Sequence, residues 1–178
     1  DMSGEAPLWR PSPERIAGAN MTRFIDEVRR RHGLEIDDYA GLYAWSIREP
    51  EAFWRAVWSF GGVIAETAGE TTIVHKGRMP GARWFPDARL NFAENLLRRR
   101  DEHTALVFWG EEHVRYRLTY GELYAEVSRL AQALRAAGVV EGDRVAGYLP
   151  NMPAAIVAML AAASVGAIWS SCSPDFGV

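Results

Sequence analysis

The segment from Arg144 to Ser171 constrains the fold of this chain more than any other part of the sequence. Arg144 to Leu149 has the pattern of a short apolar strand, Ala154 to Val165 that of an alanine-rich helix, and Ala167 to Ser171 that of a second strand. A strand, a helix and a strand in this order form a βαβ unit, whose two strands run parallel. Parallel strands are buried on both faces and need neighbouring elements to cover them. The pattern therefore predicts an α/β fold.

The position of this unit in the chain favours a longer protein. The sequence reaches Val178 shortly after the second strand, and one βαβ unit does not complete a doubly covered sheet. Ligands of open α/β sheets bind at the carboxyl ends of the strands, which is where this chain stops. We expect the chain to be a piece of a longer protein, with an incomplete sheet. A small self-contained α+β domain is the alternative.

The residues before this unit predict a hairpin followed by a helix. Thr104 to Trp109 is an apolar strand, and the alternation from Val114 to Leu118 is typical of a second strand with one face in water. Thr119 and Glu122 have the spacing of a capping box, in which each residue bonds a backbone amide of the other. The helix that they open is expected to end before Gly138.

The first half of the sequence is helical, with breaks at glycine and proline. One helix is expected to be capped by Asn20, a second to begin at Pro50 and stop at Gly61-Gly62, and a third to be capped by Asn91 and continue to Arg100. The apolar residues of the first of these follow helical spacing: Met21, Phe24, Ile25 and Val28. We expect these helices to pack against another part of the protein and not around a core of their own.

Composition excludes several classes of function. With 48% hydrophobic and 24% charged residues, the sequence is typical of a globular protein. A net charge of −3 argues against a nucleic-acid-binding surface, and a single cysteine excludes a disulfide framework or a multi-cysteine metal site. The longest weakly polar run, Ala154 to Ile168, is shorter than the roughly 20 residues of a spanning helix, so it predicts a buried helix. We expect a cytoplasmic protein without a membrane or nucleic-acid partner.

The end of the second parallel strand holds the candidate site residues. No glycine-rich loop with a phosphate-binding pattern occurs in the sequence. Ser171, Cys172, Ser173 and Pro174 supply small hydroxyls and a rigid proline where a ligand cleft is expected. From the residues alone, a plain exit from strand to loop is the favoured interpretation. Cys172 is interpreted as a small buried hydrophobic residue and not as a nucleophile, because nothing in the sequence activates its thiol.

Several segments resemble the adenylate-forming enzymes, the superfamily of the acyl-CoA synthetases. Leu118 to Gly177, with TYGEL, GDRVAGYLPN and AMLAAASVGAI, is similar to the start of their large domain. Ala82 to Leu97 resembles the N-terminal extension of the short-chain branch. Pro7 to Phe24, Asp37 to Phe60 and the final WSSCSPDFGV are most similar to the acetoacetate-activating members of that branch.

The resemblance implies a domain division and a reaction. Residues 1–100 would form the N-terminal helical extension, and residues 101–178 would begin the AMP-binding large domain. The whole protein would be a ligase that uses ATP, Mg²⁺ and CoA, forms an acyl-adenylate from acetoacetate, and then transfers the acyl group to CoA. Ser171 to Pro174 would line the cleft for CoA or its nucleotide. The catalytic residues of the family would lie outside residues 1–178, in the rest of the same polypeptide.

Two alternatives to this function remain open. The acid substrate could be acetate, propionate or butyrate, because the segments that set acid specificity are not in this part of the family's sequence. The chain could also be a non-catalytic module derived from the same fold, since none of the phosphate-binding elements is present. Either alternative would leave the predicted α/β fold unchanged.

Overall fold

A computed structural model describes residues 8–111 and 114–176, so Pro7, Gly177 and Val178, named above, lie outside the described residues. The chain divides into two compact units, residues 8–63 with 69–87 and residues 64–68 with 88–111 and 114–176. The helices are α1 (Pro13–Ala17), α2 (Asn20–His32), α3 (Tyr39–Arg48), α4 (Pro50–Gly61), α5 (Phe92–Leu96), α6 (Tyr120–Ala136) and α7 (Pro153–Ser164). The strands are β1 (Ile73–Val74), β2 (Arg83–Trp84), β3 (Thr104–Trp109), β4 (Arg115–Thr119), β5 (Arg144–Tyr148) and β6 (Ile168–Cys172).

The first unit has a small hydrophobic core. Helix α2 is amphipathic and buries its apolar face. Helix α3 and the loop between α2 and α3 pack on that face. The buried members of this cluster are Phe24, Ile25, Val28, Ile36, Leu42 and Trp45. This finding corrects the expectation that the N-terminal helices lack a core of their own.

Helix α2 begins one residue earlier than predicted. Its cap is Ala19, whose backbone is extended and which supplies no side-chain cap. The predicted cap, Asn20, is instead the first helical residue, and its side-chain oxygen accepts a hydrogen bond from Arg23 Nη1 at 3.3 Å. Met21, which was expected on the buried face, is 47% exposed. The apolar spacing thus predicted the buried positions Phe24, Ile25 and Val28 but not Met21, and the predicted capping residue was wrong.

Helix α4 has the predicted ends. Pro50 occupies the first turn, and Gly62 closes the helix in the left-handed conformation with φ of 60°. The helix buries no residue completely. Its indoles lie against aromatic residues at β2: the rings of Trp54 and Trp84 are 5.5 Å apart, and those of Trp58 and Phe85 are 4.7 Å apart.

The second unit contains the hairpin and the βαβ unit that the sequence predicted. Strands β3 and β4 pair antiparallel, and β5 and β6 pair parallel, with Val145 opposite Trp169. Helix α7 connects the parallel strands and packs on α6. The α/β class is thus confirmed, and so is the capping box at the start of α6, where both reciprocal hydrogen bonds are present.

The core of this unit lies mainly between α6 and α7. It contains the buried side chains Ala93, Leu97, Leu123, Val127, Ala131, Val157, Leu160 and Ala161. Helix α7 contributes Val157, Leu160 and Ala161 to this core, which confirms the predicted buried helix. Among the helices that the structure describes, none is long and apolar enough to cross a membrane.

Helix α5 is shorter than the predicted helix. Asn91 caps it as expected and accepts a hydrogen bond from the Glu94 amide at 3.2 Å, but the helix ends at Leu96 and not at Arg100. Ala93 and Leu97 face the core, and Asn91 also donates to the Ala163 carbonyl at 2.9 Å. These contacts hold the start of α5 against α7. The arginines after Leu97 are not part of the helix.

Replacing Thr119 by alanine should destabilise the second unit. The substitution removes the hydroxyl that accepts the Glu122 amide at 3.1 Å, so an amide at the start of α6 loses its partner. We expect a loss of about 1 kcal/mol in the free energy of unfolding, measured by denaturant titration. Thr119→Ser keeps the hydroxyl and should behave as wild type. Equal stability of the alanine and serine variants would contradict the role of the cap.

Substitution of the buried Thr72 is expected to stabilise the protein. It is 2% exposed, and its hydroxyl is the buried side-chain polar atom for which the described residues provide no hydrogen-bond partner. Thr72→Val removes an unsatisfied donor and should raise the free energy of unfolding by about 1 kcal/mol. The neighbouring Thr71→Val is the matched control. A loss of stability in Thr72→Val would show that the hydroxyl has a partner, such as a buried water.

Candidate functional site

A groove runs along the carboxyl ends of the two parallel strands. Its volume is about 650 Å³, and strands, loops and α7 all contribute to it. It is lined by Phe108, Trp109, Gly110, Glu111, Leu149, Pro150, Asn151, Ala155, Ile156, Met159, Trp169, Ser171, Cys172, Ser173, Asp175 and Phe176. Ligand sites of α/β proteins occur at this end of the strands, so the groove is the candidate binding site.

Three of the four predicted site residues line this groove. They are Ser171, Cys172 and Ser173, which continue β6 into the following loop. Pro174 does not line it, but its carbonyl accepts a hydrogen bond from the Tyr148 hydroxyl at 3.1 Å. This bond joins the end of β5 to the loop after β6. Pro174 thus helps to shape the edge of the groove.

Cys172 is exposed, which corrects its interpretation as a buried hydrophobic residue. It is the last residue of β6 and pairs with Tyr148 in the parallel register. The short pair of strands leaves this end of the sheet open, so the side chain reaches the groove. Its predicted lack of a nucleophilic role stays a prediction.

The loop after β6 is held by its own hydrogen bonds. The Ser173 hydroxyl donates to Asp175 Oδ2 at 2.8 Å and accepts from the Asp175 amide at 3.2 Å. These bonds fold the loop back beside the groove. The groove thereby gains a carboxylate, and a second one comes from Glu111 at the hairpin. Both are acceptors for hydroxyl or amino groups of a ligand.

Helix α7 places its first turn at the groove. It begins at Pro153, and its preceding residue, Met152, provides no side-chain cap. Ala155 and Ile156 of the first turns line the groove. The start of a helix carries partial positive charge from its unpaired amides, which favours a negatively charged group nearby.

Sequence reasoning missed the aromatic residues of the groove. Trp169 lies in β6 and its indole extends over Gly147 in the neighbouring strand. A Cβ atom on Gly147 would come within 2.5 Å of both the Trp169 ring and Leu149 Cδ2. A glycine in the middle of a strand is the signal that could have revealed this close approach.

The fold and the groove correspond to a class of enzymes. Residues 92–178 match the family of AMP-binding enzymes, and residues 39–96 match the acetyl-coenzyme A synthetase N-terminus. The hairpin, the βαβ unit and the groove all lie in the first of these segments. The second half of the chain is therefore homologous to the start of an AMP-binding enzyme domain.

More particularly, the chain is homologous along nearly its whole length to the N-terminal part of acetoacetyl-CoA synthetases. It is 56% identical to the acetoacetyl-coenzyme A synthetase of Rhizobium meliloti (strain 1021) over 176 residues, and 42% identical to that of Macaca fascicularis over 175. These matches cover 99% and 96% of this chain but 27% and 26% of the relatives. The chain thus spans about a quarter of the length of the curated relatives.

Two further matches bear on fold and substrate. The structure of acetoacetyl-CoA synthetase from Streptomyces lividans superposes with a TM-score of 0.85 at 46% identity, covering 97% of this chain and 27% of that one. A malonamoyl-CoA synthetase of Penicillium aethiopicum is 37% identical over 182 residues, covering 98% of this chain and 25% of its own length. The resemblance to short-chain acyl-CoA synthetases that the sequence motifs indicated is confirmed.

Substituting Gly147 should disturb the groove. Gly147→Ala places a methyl group against the Trp169 ring, so the indole must move or β5 must shift. We expect a loss of roughly 1–3 kcal/mol in the free energy of unfolding and a changed tryptophan emission spectrum. Gly77→Ala, where a Cβ meets no atom within 4 Å, is the control. Unchanged stability and emission in Gly147→Ala would show that the indole does not rest on this glycine.

Proposed function

We propose that this chain is the N-terminal part of an ATP-dependent ligase that joins acetoacetate to CoA. The main support for this proposal is the 56% identity to an acetoacetyl-coenzyme A synthetase along 99% of the chain. The groove at the carboxyl ends of β5 and β6 supports the proposal, because it offers this part of the protein a place for a substrate. Its polar and aromatic lining suits a nucleotide better than a small acid.

The reaction has two steps. The carboxylate of acetoacetate attacks the α-phosphorus of ATP, forms acetoacetyl-adenylate and releases pyrophosphate. The thiol of CoA then attacks the acyl carbon, forms the thioester and releases AMP. A bound Mg²⁺ would supply charge neutralisation on the phosphate oxygens. Within residues 8–111 and 114–176 no group of three His, Cys, Asp or Glu side chains could hold it.

The described residues therefore have a binding role in this proposal. Ser171, Cys172 and Ser173 would line the cleft for CoA or its nucleotide, with Pro174 fixing the loop beside them. The metal ion and the reacting atoms would be held by the rest of the same polypeptide. That part would also extend the sheet beside β5 and β6. A single, exposed cysteine supports a reducing location, the cytoplasm.

Malonamate is a second candidate acid substrate. The malonamoyl-CoA synthetase relative is named for a three-carbon acid that, like acetoacetate, carries a carbonyl group at the carbon beyond the methylene. Acetate, propionate and butyrate lack this carbonyl. The substrate class that the relatives support is thus a short acid with a carbonyl group at its third carbon.

The test is acid-dependent ATP–pyrophosphate exchange by the complete protein. The exchange should be strongest with acetoacetate, weaker with malonamate, and weakest with acetate, propionate and butyrate. Exchange with acetate but not with acetoacetate would retain the ligase and replace its substrate. A folded protein that shows no exchange with any of the five acids would support the non-catalytic module instead.

A further inference from the structure

One face of the β3–β4 hairpin carries an unusual cross-strand pair. Trp109 and Arg115 lie directly opposite each other, and the Arg115 Cζ atom is 4.5 Å from the centre of the Trp109 ring. Trp109 is nevertheless 68% exposed, although a tryptophan ordinarily contributes its large area to a core. The next pair on the same face is Val107 with Arg117, which has no aromatic ring.

The position of this pair connects it with the groove. Trp109 and its neighbours Gly110 and Glu111 line the groove from the hairpin side, while Ser173 and Asp175 line it from the loop after β6. An exposed indole thus stands at the rim of a groove that already contains polar side chains. Arg115 adds a guanidinium group beside the ring.

These side chains match the chemistry of an adenine nucleotide. A purine stacks on an exposed indole, and base–aromatic stacking contributes substantially to the binding of nucleotides. A guanidinium pairs with a phosphate through two parallel hydrogen bonds. The carboxylates of Glu111 and Asp175 accept hydrogen bonds from ribose hydroxyls or from the exocyclic amino group of the base. Trp109, Glu111 and Asp175, which line the groove, thus complement the base and the ribose of a nucleotide. Arg115 complements its phosphate from beside the Trp109 ring.

We infer that Trp109 and Arg115 form a nucleotide-binding element at the rim of the groove, where the indole stacks on adenine and the guanidinium pairs with a phosphate. The inference rests on the proposed function, in which two substrates, ATP and CoA, carry an adenine nucleotide. It adds residues of the hairpin to the site predicted at Ser171 to Pro174. The competing explanation is a cross-strand pair that only stabilises the hairpin.

Kinetics of the complete protein separate these explanations. Trp109→Ala, Trp109→Phe and Arg115→Ala are compared with Val107→Ala and Arg117→Ala, which lie on the same face one pair away. KM and kcat are measured for ATP, CoA and acetoacetate, and ATP–pyrophosphate exchange is measured without CoA. The thermal midpoint of each variant is recorded as a readout of structure.

We expect Trp109→Ala to raise KM about tenfold for one of the two adenine substrates, with kcat and the KM for acetoacetate changed less than about twofold. Trp109→Phe should restore most of the loss, and the two control variants should resemble wild type. If CoA is the ligand, exchange is unchanged. If ATP is the ligand, the KM for ATP in exchange rises. If Arg115 pairs with the 3′-phosphate of CoA, Arg115→Ala should raise the KM for CoA but not the KM for 3′-dephospho-CoA.

Two results would overturn the inference. One is an unchanged KM for both ATP and CoA in Trp109→Ala. The other is a lower thermal midpoint accompanied by equal losses for all three substrates, which would assign the pair to hairpin stability. A wild-type protein without exchange activity would count against the proposed function. Calorimetric titration with AMP and with adenosine 3′,5′-bisphosphate then decides the inference, because loss of binding in Trp109→Ala supports it and equal binding contradicts it.

Discussion

The packing of α7 against α6 is the interaction on which the second unit depends. Ala161 is completely buried, and Leu160 and Val127 are each 2% exposed, so this contact lies deep in the core of the second unit. Alanine at several positions lets the two helices approach closely, and burial of apolar area is the dominant favourable term in folding. Because α7 also connects β5 to β6, the same contact fixes the parallel pair and the groove at its end.

The groove inherits its geometry from this arrangement. One side of α7 packs in the core, while its first turns, with Ala155 and Ile156, line the groove. The sheet contributes Trp169, whose ring can approach Gly147 of β5 so closely only because Gly147 has no side chain. The hairpin contributes Trp109 from a face that remains largely in water. A binding surface is thereby assembled from three elements, of which only the helix is anchored deeply.

Local sequence signals predicted the elements of this chain well where a single interaction decides them. The capping box at Thr119, the proline at the start of α4 and the apolar run of α7 were each found at or near the predicted place. The signals failed at two helix ends. Asn20 was placed as a cap, but its side chain bonds Arg23 and the backbone of Ala19 takes the capping conformation. The helix at Asn91 was also predicted too long, since it ends at Leu96 and not at Arg100.

The sequence by itself determined the α/β class, the parallel strand pair and the resemblance to short-chain acyl-CoA synthetases, since these follow from periodicity and from motifs that are contiguous in the chain. It also indicated Ser171 to Pro174, because they follow a strand directly. Only the tertiary structure decided that Cys172 is exposed, that Pro174 acts through its carbonyl, and that Trp109 joins the same groove from a hairpin far away in the chain. The physical reason is that exposure and proximity depend on how elements pack, and no local pattern encodes the packing of residues that are distant in sequence.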